Sequence, residues 1–440
     1  KENNGATYGR RSDWQDLYSI AKKYYEALLA DPGNALFHLT DPRGASDKSG
    51  RTFNNPYQYF FEQMHMDDAI YADESIYEYP MQQGGGNDGR PYSFGRPSSG
   101  GSKAAYPCKS YGQGRINPAY FYGVFDPNDM RRDVSITMTG SNGKGVEKLI
   151  PFVPNSKAEG GGLTLNKWDE NRQANPWVAA QRKSGINGPY MRMSEVYLGY
   201  AEVCAALGDV VTGKQYLKTV RERSFPQGLA NTDAFIASFG NDLVRAIIEE
   251  RGFEYAGEGD RRWTLIRSGY LPEDIKRIKD MTKAMMDGLA TKGYYEFENG
   301  NIISAYIWTK LVDAKTIYGH RLTAQCPTDK VNDPVLYPGW RGQKDNWEEM
   351  GLNYGSSTPA TNLAIKGLFE IVSEEEAASL ESQGYTKVNW GIDLVDNRDE
   401  YDKYLFWDYD YVSAPIYLWP FTPNVMAAGG FTNGYGFKQE

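Results

Sequence analysis

Apolar positions along the chain repeat mostly with a helical period. In YMRMSEVYLGYAEVCAALGD, residues 190–209, Met193, Val196, Tyr197, Tyr200, Ala201 and Cys204 fall at i, i+3, i+4, i+7, i+8 and i+11, one buried stripe. Glu195 and Glu202, a heptad apart, then share the opposite side. A Leu-Gly-Asp turn leads into a second helix, GKQYLKTVRERS, with Gly199 and Gly213 letting the two helices approach. Residues 13–30 predict an earlier helix capped by Asp13, with Leu17, Ile20, Ala21, Tyr24 and Leu28 as its buried stripe and Asp-Pro-Gly-Asn as its stop. Asn241 or Asp242 caps a further helix through LVRAIIEERGFEYA. Helix, short turn, helix is the pattern of a tetratricopeptide unit, and YYEALLADPGN ends as such a unit does.

Between these helices the pattern breaks. Residues 82–118 are rich in Gly, Pro and Ser with interleaved aromatics, and a loop of that length is functional or mobile. In FDPNDMRRDVSITMTGSNGKGVEKLIPFV, the alternation Val134, Ile136, Met138, a turn at SNGKG and resumption at Val146 predict a β-hairpin. After residue 290, short aromatic runs alternate with polar loops. No linker interrupts the chain. The expected architecture is one mainly α domain over 1–440: a tetratricopeptide-like helical scaffold with long irregular loops and a few short β-hairpins. Its parts are a helical repeat remnant at 1–40, a loop-rich ligand-binding region at 82–180, the scaffold proper at 186–270 and a loop-rich C-terminal region at 290–440.

Composition narrows the function. Forty-eight Lys and Arg stand against 57 Asp and Glu, a formal net charge of -9, which disfavours nucleic acid or anionic lipid as a partner. No apolar run is long enough to span a bilayer. The chain opens KENNGATYGR, which reads as the continuation of an upstream portion that carried any export signal or anchor. Aromatic content is 14%, with 33 Tyr against 18 Phe and 10 Trp. Tyr and Trp combine an apolar ring with a polar handle, which suits a binding surface as well as a helix interface.

Catalytic signatures are missing. His38, His65 and His320 are scattered, and Cys108, Cys204 and Cys326 are too few and too far apart for a metal motif or a disulfide framework, so no metal or cofactor is expected. Cys204 lies on the buried stripe as a small core hydrophobe. No Gly-x-Ser-x-Gly elbow occurs, and GGGNDG lacks the Lys-Ser/Thr of a phosphate loop. FDPNDMRRD places Arg131 and Arg132 where a calcium loop needs oxygen ligands. The densest charge cluster, EERGFEYAGEGDRR, sets Glu250, Glu254 and Glu258 at i, i+4 spacing, on one face if the helix runs through Gly257. Two carboxylates could serve glycoside hydrolysis, but here Glu249, Glu250, Glu254 and Glu258 interleave with Arg251, Arg261 and Arg262. That mixture points to ion pairs between helices.

Three stretches in order resemble the SusD/RagB family of outer-membrane nutrient-binding lipoproteins. Arg192, Glu195, Tyr197, Leu198, Tyr200, Ala201 and Glu202 match its Arg-x-x-Glu-hydrophobic-Tyr-Leu-x-Tyr-Ala-Glu helix. Glu250, Arg251, Glu254, Glu258, Gly259, Arg261, Leu265, Arg267 and Gly269 match a second motif, with Thr264 where Asp is usual. YLWPFTPNVM resembles the terminal Tyr-x-x-Pro-Ile-Pro segment, with Phe421 and Thr422 departing before Pro423, and FTNGYGF resembles the family's closing Gln-Asn-Pro-Gly-Tyr. The likeness covers about residues 120–437. The family's N-terminal part, with its lipid-attachment Cys and an early helix pair, has no counterpart, so a fragment or cleaved form is expected.

The resemblance implies a lipid-anchored protein at the outer-membrane surface that captures an oligosaccharide, or a peptide, and passes it to a SusC-like TonB-dependent transporter. It implies no enzyme activity. Glu195 and Glu202 would then join a structural network with Arg251 or Arg261 as partners, and binding would lie in the loops. A sugar offers C–H faces and hydroxyls, so its binder needs flat rings edged by hydrogen-bonding groups. The candidate platforms are Tyr92, Tyr106, Tyr111, Tyr120, Tyr122, Trp168 and Trp177, with Asn87, Asp88, Arg90, Asn117 and Asn171 as polar edges and Trp340 and Trp347 behind them. Trp168 and Tyr120 are expected to be removable without unfolding. The rival classes are a glycan-degrading enzyme and a non-binding surface scaffold.

Overall fold

The computed structural model describes residues 12–43, 54–65, 71–86, 89–98, 110–141, 147–153, 161–169, 182–313, 361–405 and 422–430. Its described helices begin with α1 (Trp14–Ala30), α2 (Pro56–Gln63), α3 (Gly89–Phe94) and α4 (Arg131–Ser135). The scaffold follows as α5 (Met193–Ala206), α6 (Val210–Glu222), α7 (Thr232–Ala237), α8 (Leu243–Glu254), α9 (Asp260–Ser268) and α10 (Leu271–Lys292). The protein is mainly helical, and its strands form small antiparallel sheets.

Helices α5 and α6 form the expected hairpin. Asp209 caps α6 by accepting the Thr212 N–H at 3.2 Å, and a Cβ on Gly213 would lie 2.9 Å from the Ala201 carbonyl oxygen. Gly199 serves another neighbour: its missing side chain makes room for the Tyr25 ring of α1. The predicted stripe of α5 is buried apart from a half-buried Tyr197. Glu202 is buried as well, because α1 covers Tyr200, Val203 and Cys204 while α6 and α8 cover Leu198 and Ala201.

Helix α1 presents a different face from the one its hydrophobicity predicts. Leu17, Ile20 and Tyr24 are 43%, 54% and 67% exposed, and Tyr18, Ala21, Tyr25 and Leu29 make the contact with α5. Polar handles and a notch select that face. Tyr18 donates to Glu202 at 3.3 Å, Tyr200 donates to Glu26 at 3.1 Å, and Tyr25 fills the space above Gly199. Asp13 makes no side-chain cap.

The β1 (Ser75–Tyr79) and β6 (Gly188–Arg192) strands pair, as do β2 (Ile136–Thr137) with β5 (Thr164–Leu165) and β3 (Thr139–Ser141) with β4 (Glu147–Leu149). The predicted hairpin is therefore present as β3–β4, but Val134 belongs to α4. Its helical turn carries Arg131 inward. In the region after 290, the described residues include regular strands. They form a β7–β8 hairpin (Tyr294–Glu296, Ile302–Ser304) and a three-stranded sheet of β10 (Thr361–Lys366), β9 (Tyr306–Asp313) and β11 (Thr386–Asn389). These pack with Phe121, Tyr122, Phe125, Phe253, Met285 and Trp390 into the largest core cluster. Of the terminal resemblance, Pro423–Gly429 is a short helix, and the rest lies outside the described residues.

Two predicted platforms belong to this core. Tyr122 is fully buried, its hydroxyl accepting the Trp390 indole N–H at 2.8 Å and its carbonyl accepting from Asn299 and Asn301, each at 2.8 Å. Tyr120 packs against Phe125 and donates to the Gly252 carbonyl at 2.7 Å. Tyr122 offers no open face and Tyr120 is part-buried against the same core, and burial raises both phenols above their ordinary range.

Around Arg192, at the β6–α5 junction, lies a buried charge network. Arg192 Nη1 donates to Glu74 at 2.9 Å and to Glu254 at 2.5 Å, while Nη2 reaches Glu258 at 3.0 Å and the Glu254 carbonyl at 2.8 Å. Arg223 pairs with Glu74 and Glu254, Arg131 with Asp129, Glu250 and Glu254, Arg221 with Glu250, and Lys167 with Glu258. Five buried cations thus meet five carboxylates. Helix α8 ends at Glu254, and Gly257 and Gly259, with φ of +81° and +95°, turn the chain so that Glu258 comes back to Arg192. Glu250, Glu254 and Glu258 therefore converge through a left-handed turn, where a continuous helix face was expected.

A second tier lies nearer the surface. Arg251 pairs with Glu195 at 3.6 Å, as expected, and with Asp260 at 2.5 Å; Thr264 donates to that same Asp260 at 2.9 Å. Glu202 pairs instead with Arg267, and Arg261 with Glu249 and Asp274, because α9 and α10 carry those groups past one another.

Removing one member of a buried, matched set strands its partners, which costs about 3–5 kcal/mol. Arg192→Met should lower the urea unfolding free energy by roughly that amount, and a change under about 0.5 kcal/mol, the size of an ordinary surface effect, would contradict the network's role. Acid should act on the same groups. Burial alone would raise the Glu74 and Glu254 carboxyls, but Arg223 and Arg192, with Arg131 at Glu254, outweigh it and hold both below the ordinary 4.5. Both stay ionised in the folded chain after the unfolded chain has protonated. Their contribution is full above that value and is lost as pH falls further, so the unfolding midpoint should decline below about pH 4.5.

Candidate ligand-binding surface

The strand SIYEY alternates. Its period of two sends Tyr77 and Tyr79 to one face and Glu78 to the other. Glu78 is buried, where its carboxylate accepts the Ala72 N–H at 2.9 Å, the Asn187 amide at 2.9 Å and the Ser75 hydroxyl. The tyrosines face solvent. On the neighbouring strand β6, Tyr190 joins them, with ring centroids 5.5 Å from Tyr77 and 5.2 Å from Tyr79, and Tyr77 lies 6.1 Å from Tyr79. The three rings are 55%, 44% and 63% exposed in chain order, a clustering that single surface tyrosines do not show.

This platform is held at both ends. Ser75 is paired with Arg192 across the two strands, Met193 N–H donates to the Glu74 carbonyl at 2.9 Å, and the Glu74–Arg192 ion pair ties the same end into the charge network. At the other end Tyr79 is paired with Gly188, and the Met81 N–H donates to the Asn187 side chain at 2.8 Å. Arg90 of α3 lies on Gly188, where any side chain would collide with its guanidinium, and sits 5.4 Å from the Tyr79 ring and 5.5 Å from that of Trp168. The rings are pre-positioned, so little ordering entropy opposes a ligand.

The sequence-predicted residues divide into three groups. Arg90, Tyr92 and Tyr111 gather beside the platform: Tyr92 meets Tyr111 edge-on at 4.9 Å, and the Arg182 guanidinium stands 4.1 Å above the Tyr92 ring. Tyr92 itself is largely buried. Trp168, only 2% exposed, packs with Leu165 and Ile186 beneath Arg90, so it supports the surface without forming it. Asn117 is structural, its side-chain oxygen accepting the Ala119 N–H at 2.8 Å and its amide donating to Thr282 at 3.0 Å; Tyr122 is a core residue, and Tyr120 packs part-buried against that core. Asn87, Asp88, Tyr106, Asn171, Trp177, Trp340 and Trp347 lie outside the described residues.

The three platform tyrosines were not singled out from the sequence. The signal was there in the Tyr-x-Tyr spacing of SIYEY, but the partner Tyr190 is 111 residues further on, and only strand pairing brings them together.

Lys167, adjoining Trp168, is buried against the Tyr57 and Phe61 rings and pairs with Glu258 at 2.6 Å. Burial lowers its ammonium to about 8, with Glu258 offsetting part of the effect. The segment carrying Trp168 is thereby attached to the charge network.

Among known proteins, the sequence model of the SusD family matches residues 40–420. SusD-like protein P25 of Formosa agariphila is 28% identical over 160 residues, covering 36% of this chain and 26% of that protein. A SusD homolog from Bacteroides thetaiotaomicron is similar in structure at 18% identity and a TM-score of 0.42, covering 61% of this chain and 52% of that one. Surface glycan-binding protein A from the same organism, solved in complex with laminarihexaose, gives 19% identity, a TM-score of 0.38 and coverage of 59% and 52%. The chain spans about half the length of these solved relatives and about a quarter of the curated one. With the match extending over most of its length, the chain belongs to the SusD family.

Proposed function

We propose that this protein captures an oligosaccharide on the Tyr77–Tyr79–Tyr190 surface, at the outside of an outer membrane to which a lipid anchor holds it, and delivers it to a SusC-like TonB-dependent transporter. The observation that carries the reading is the exposed, braced trio of tyrosines. Rings held at fixed angles offer faces and edges to the C–H surfaces of a sugar, while their hydroxyls offer hydrogen bonds to its hydroxyl groups. Family membership supports the same reading, as does the glycan named for surface glycan-binding protein A.

The carboxylates fit binding without chemistry. Glu250, Glu254 and Glu258 are each engaged by buried cations in the ion-pair network. The family resemblance supplies the transporter and the anchor; among the described residues no helix is long and apolar enough to cross a membrane.

Retardation in native gels containing a panel of plant, host and microbial polysaccharides should identify a retained glycan, and calorimetry with its oligosaccharides should give the affinity. Tyr79→Ala or Tyr190→Ala should weaken that affinity about tenfold, as loss of an aromatic anchor does, with the unfolding midpoint unchanged. Trp168→Ala should instead lower stability by about 3 kcal/mol, as buried Trp truncations do. A glycan whose affinity survives simultaneous replacement of Tyr77, Tyr79 and Tyr190 would sink this placement. Binding of peptides and of no glycan would favour the other ligand class.

A further inference from the structure

The tyrosine platform continues into a stretch of positive charge. Beyond Tyr79 and Gly188 the two chain segments stay side by side: Met81 donates to Asn187, Gly85 closes a turn on Gln82, and the Gly84 N–H donates to the Lys183 carbonyl at 2.9 Å. Lys183 and Arg182 therefore stand at the far end of the same ribbon, five and six residues before Gly188 and so within roughly 20 Å of it at about 3.3 Å per extended residue. Helix α3 lies beside this stretch, with Arg90 5.4 Å from the Tyr79 ring and Tyr92 under Arg182. Rings and cations thus form one continuous strip.

Among the described residues no carboxylate forms an ion pair with Arg182 or Lys183; the acid of β1, Glu78, is turned into the interior, and Asp73 is taken by His38 at 3.0 Å. Arg182 is also exposed and adopts φ +62°, a left-handed conformation uncommon for a side chain of its kind. Its guanidinium is held over the Tyr92 ring at 4.1 Å.

We infer that the captured glycan is anionic, bearing carboxylate or sulfate groups that Arg182 and Lys183 meet while its sugar rings lie on the tyrosines. This rests on the capture reading above and adds the charge of the ligand. A planar guanidinium matches either oxyanion with two parallel N–H donors, and the ammonium beside it adds a point charge. Because both groups reach solvent, the contribution is screened and falls with salt.

The test is calorimetry on the intact chain with three probes: oligogalacturonate for carboxylate, a carrageenan oligosaccharide for sulfate, and a neutral glucan oligomer. One anionic probe should bind more tightly than the neutral one, its affinity should drop with added salt, and which probe it is identifies the oxyanion. The Arg182→Gln, Lys183→Gln double variant should lose about five- to tenfold affinity for that probe, the scale of one charge-assisted contact, while leaving neutral binding and the unfolding midpoint as they were. Neutral binding that equals anionic binding and is weakened by Tyr79→Ala but untouched by the double variant would overturn the charge inference and keep the capture reading. Binding of none of the probes, nor of any polysaccharide in the gel panel, would overturn both.

Discussion

Arg192 sits where a strand becomes a helix, and its guanidinium is shared by Glu74, Glu254 and Glu258. A charge taken that far from water is tolerable only when each of its donors is matched, so the positions of α8, of the turn at Gly257 and Gly259, of the segment before β1 and of α4 are fixed together. Remote parts of the chain meet here: Glu74, Arg131, Lys167, Arg223 and Glu254 come from five different segments. The residues of the two family motifs serve this purpose. Apolar packing surrounds the network, and the rings of Tyr57, Phe60 and Tyr255 face the Arg192 guanidinium, but packing alone tolerates slippage that matched ion pairs do not.

The consequence for function is mechanical. Glu74 immediately precedes β1, and Arg192 closes β6, so their ion pair clamps the two strands that carry Tyr77, Tyr79 and Tyr190. A two-stranded ribbon is marginal by itself, and the network supplies the anchorage that a wider sheet would otherwise give. Scaffold and site are thus separate sets of residues joined at two positions.

Sequence reasoning reached the interior better than the surface. The stripe of α5 was legible because a helix buried on a regular period leaves a strong pattern, and the Glu195–Arg251 pair is one of the two partnerships, with Arg251 or Arg261, that the family resemblance implied. Glu202 was placed correctly in an ion-pair network but with the wrong partner, since Arg267 reaches it only after α9 has turned. The α1 face was misread because hydroxyl partners and the Gly199 notch outweighed hydrophobicity. Tyr120 and Tyr122 looked like loop residues beside a Gly- and Pro-rich stretch, yet Asn299, Asn301 and Trp390, about 180 to 270 residues away, enclose Tyr122. The exposed platform went unseen for the opposite reason: short strands give little pattern, and exposure is decided by which neighbours fail to cover a ring.

The most direct test of the account is amide hydrogen exchange in Glu74→Gln, which keeps the shape of the side chain and removes its charge. If the network clamps the platform, amides of Ser75–Tyr79 and Gly188–Arg192 should lose protection, while those of the distant α10 keep theirs. Unchanged protection in both strands, or an equal loss throughout the protein, would contradict the claim that this ion pair specifically holds the binding surface in place.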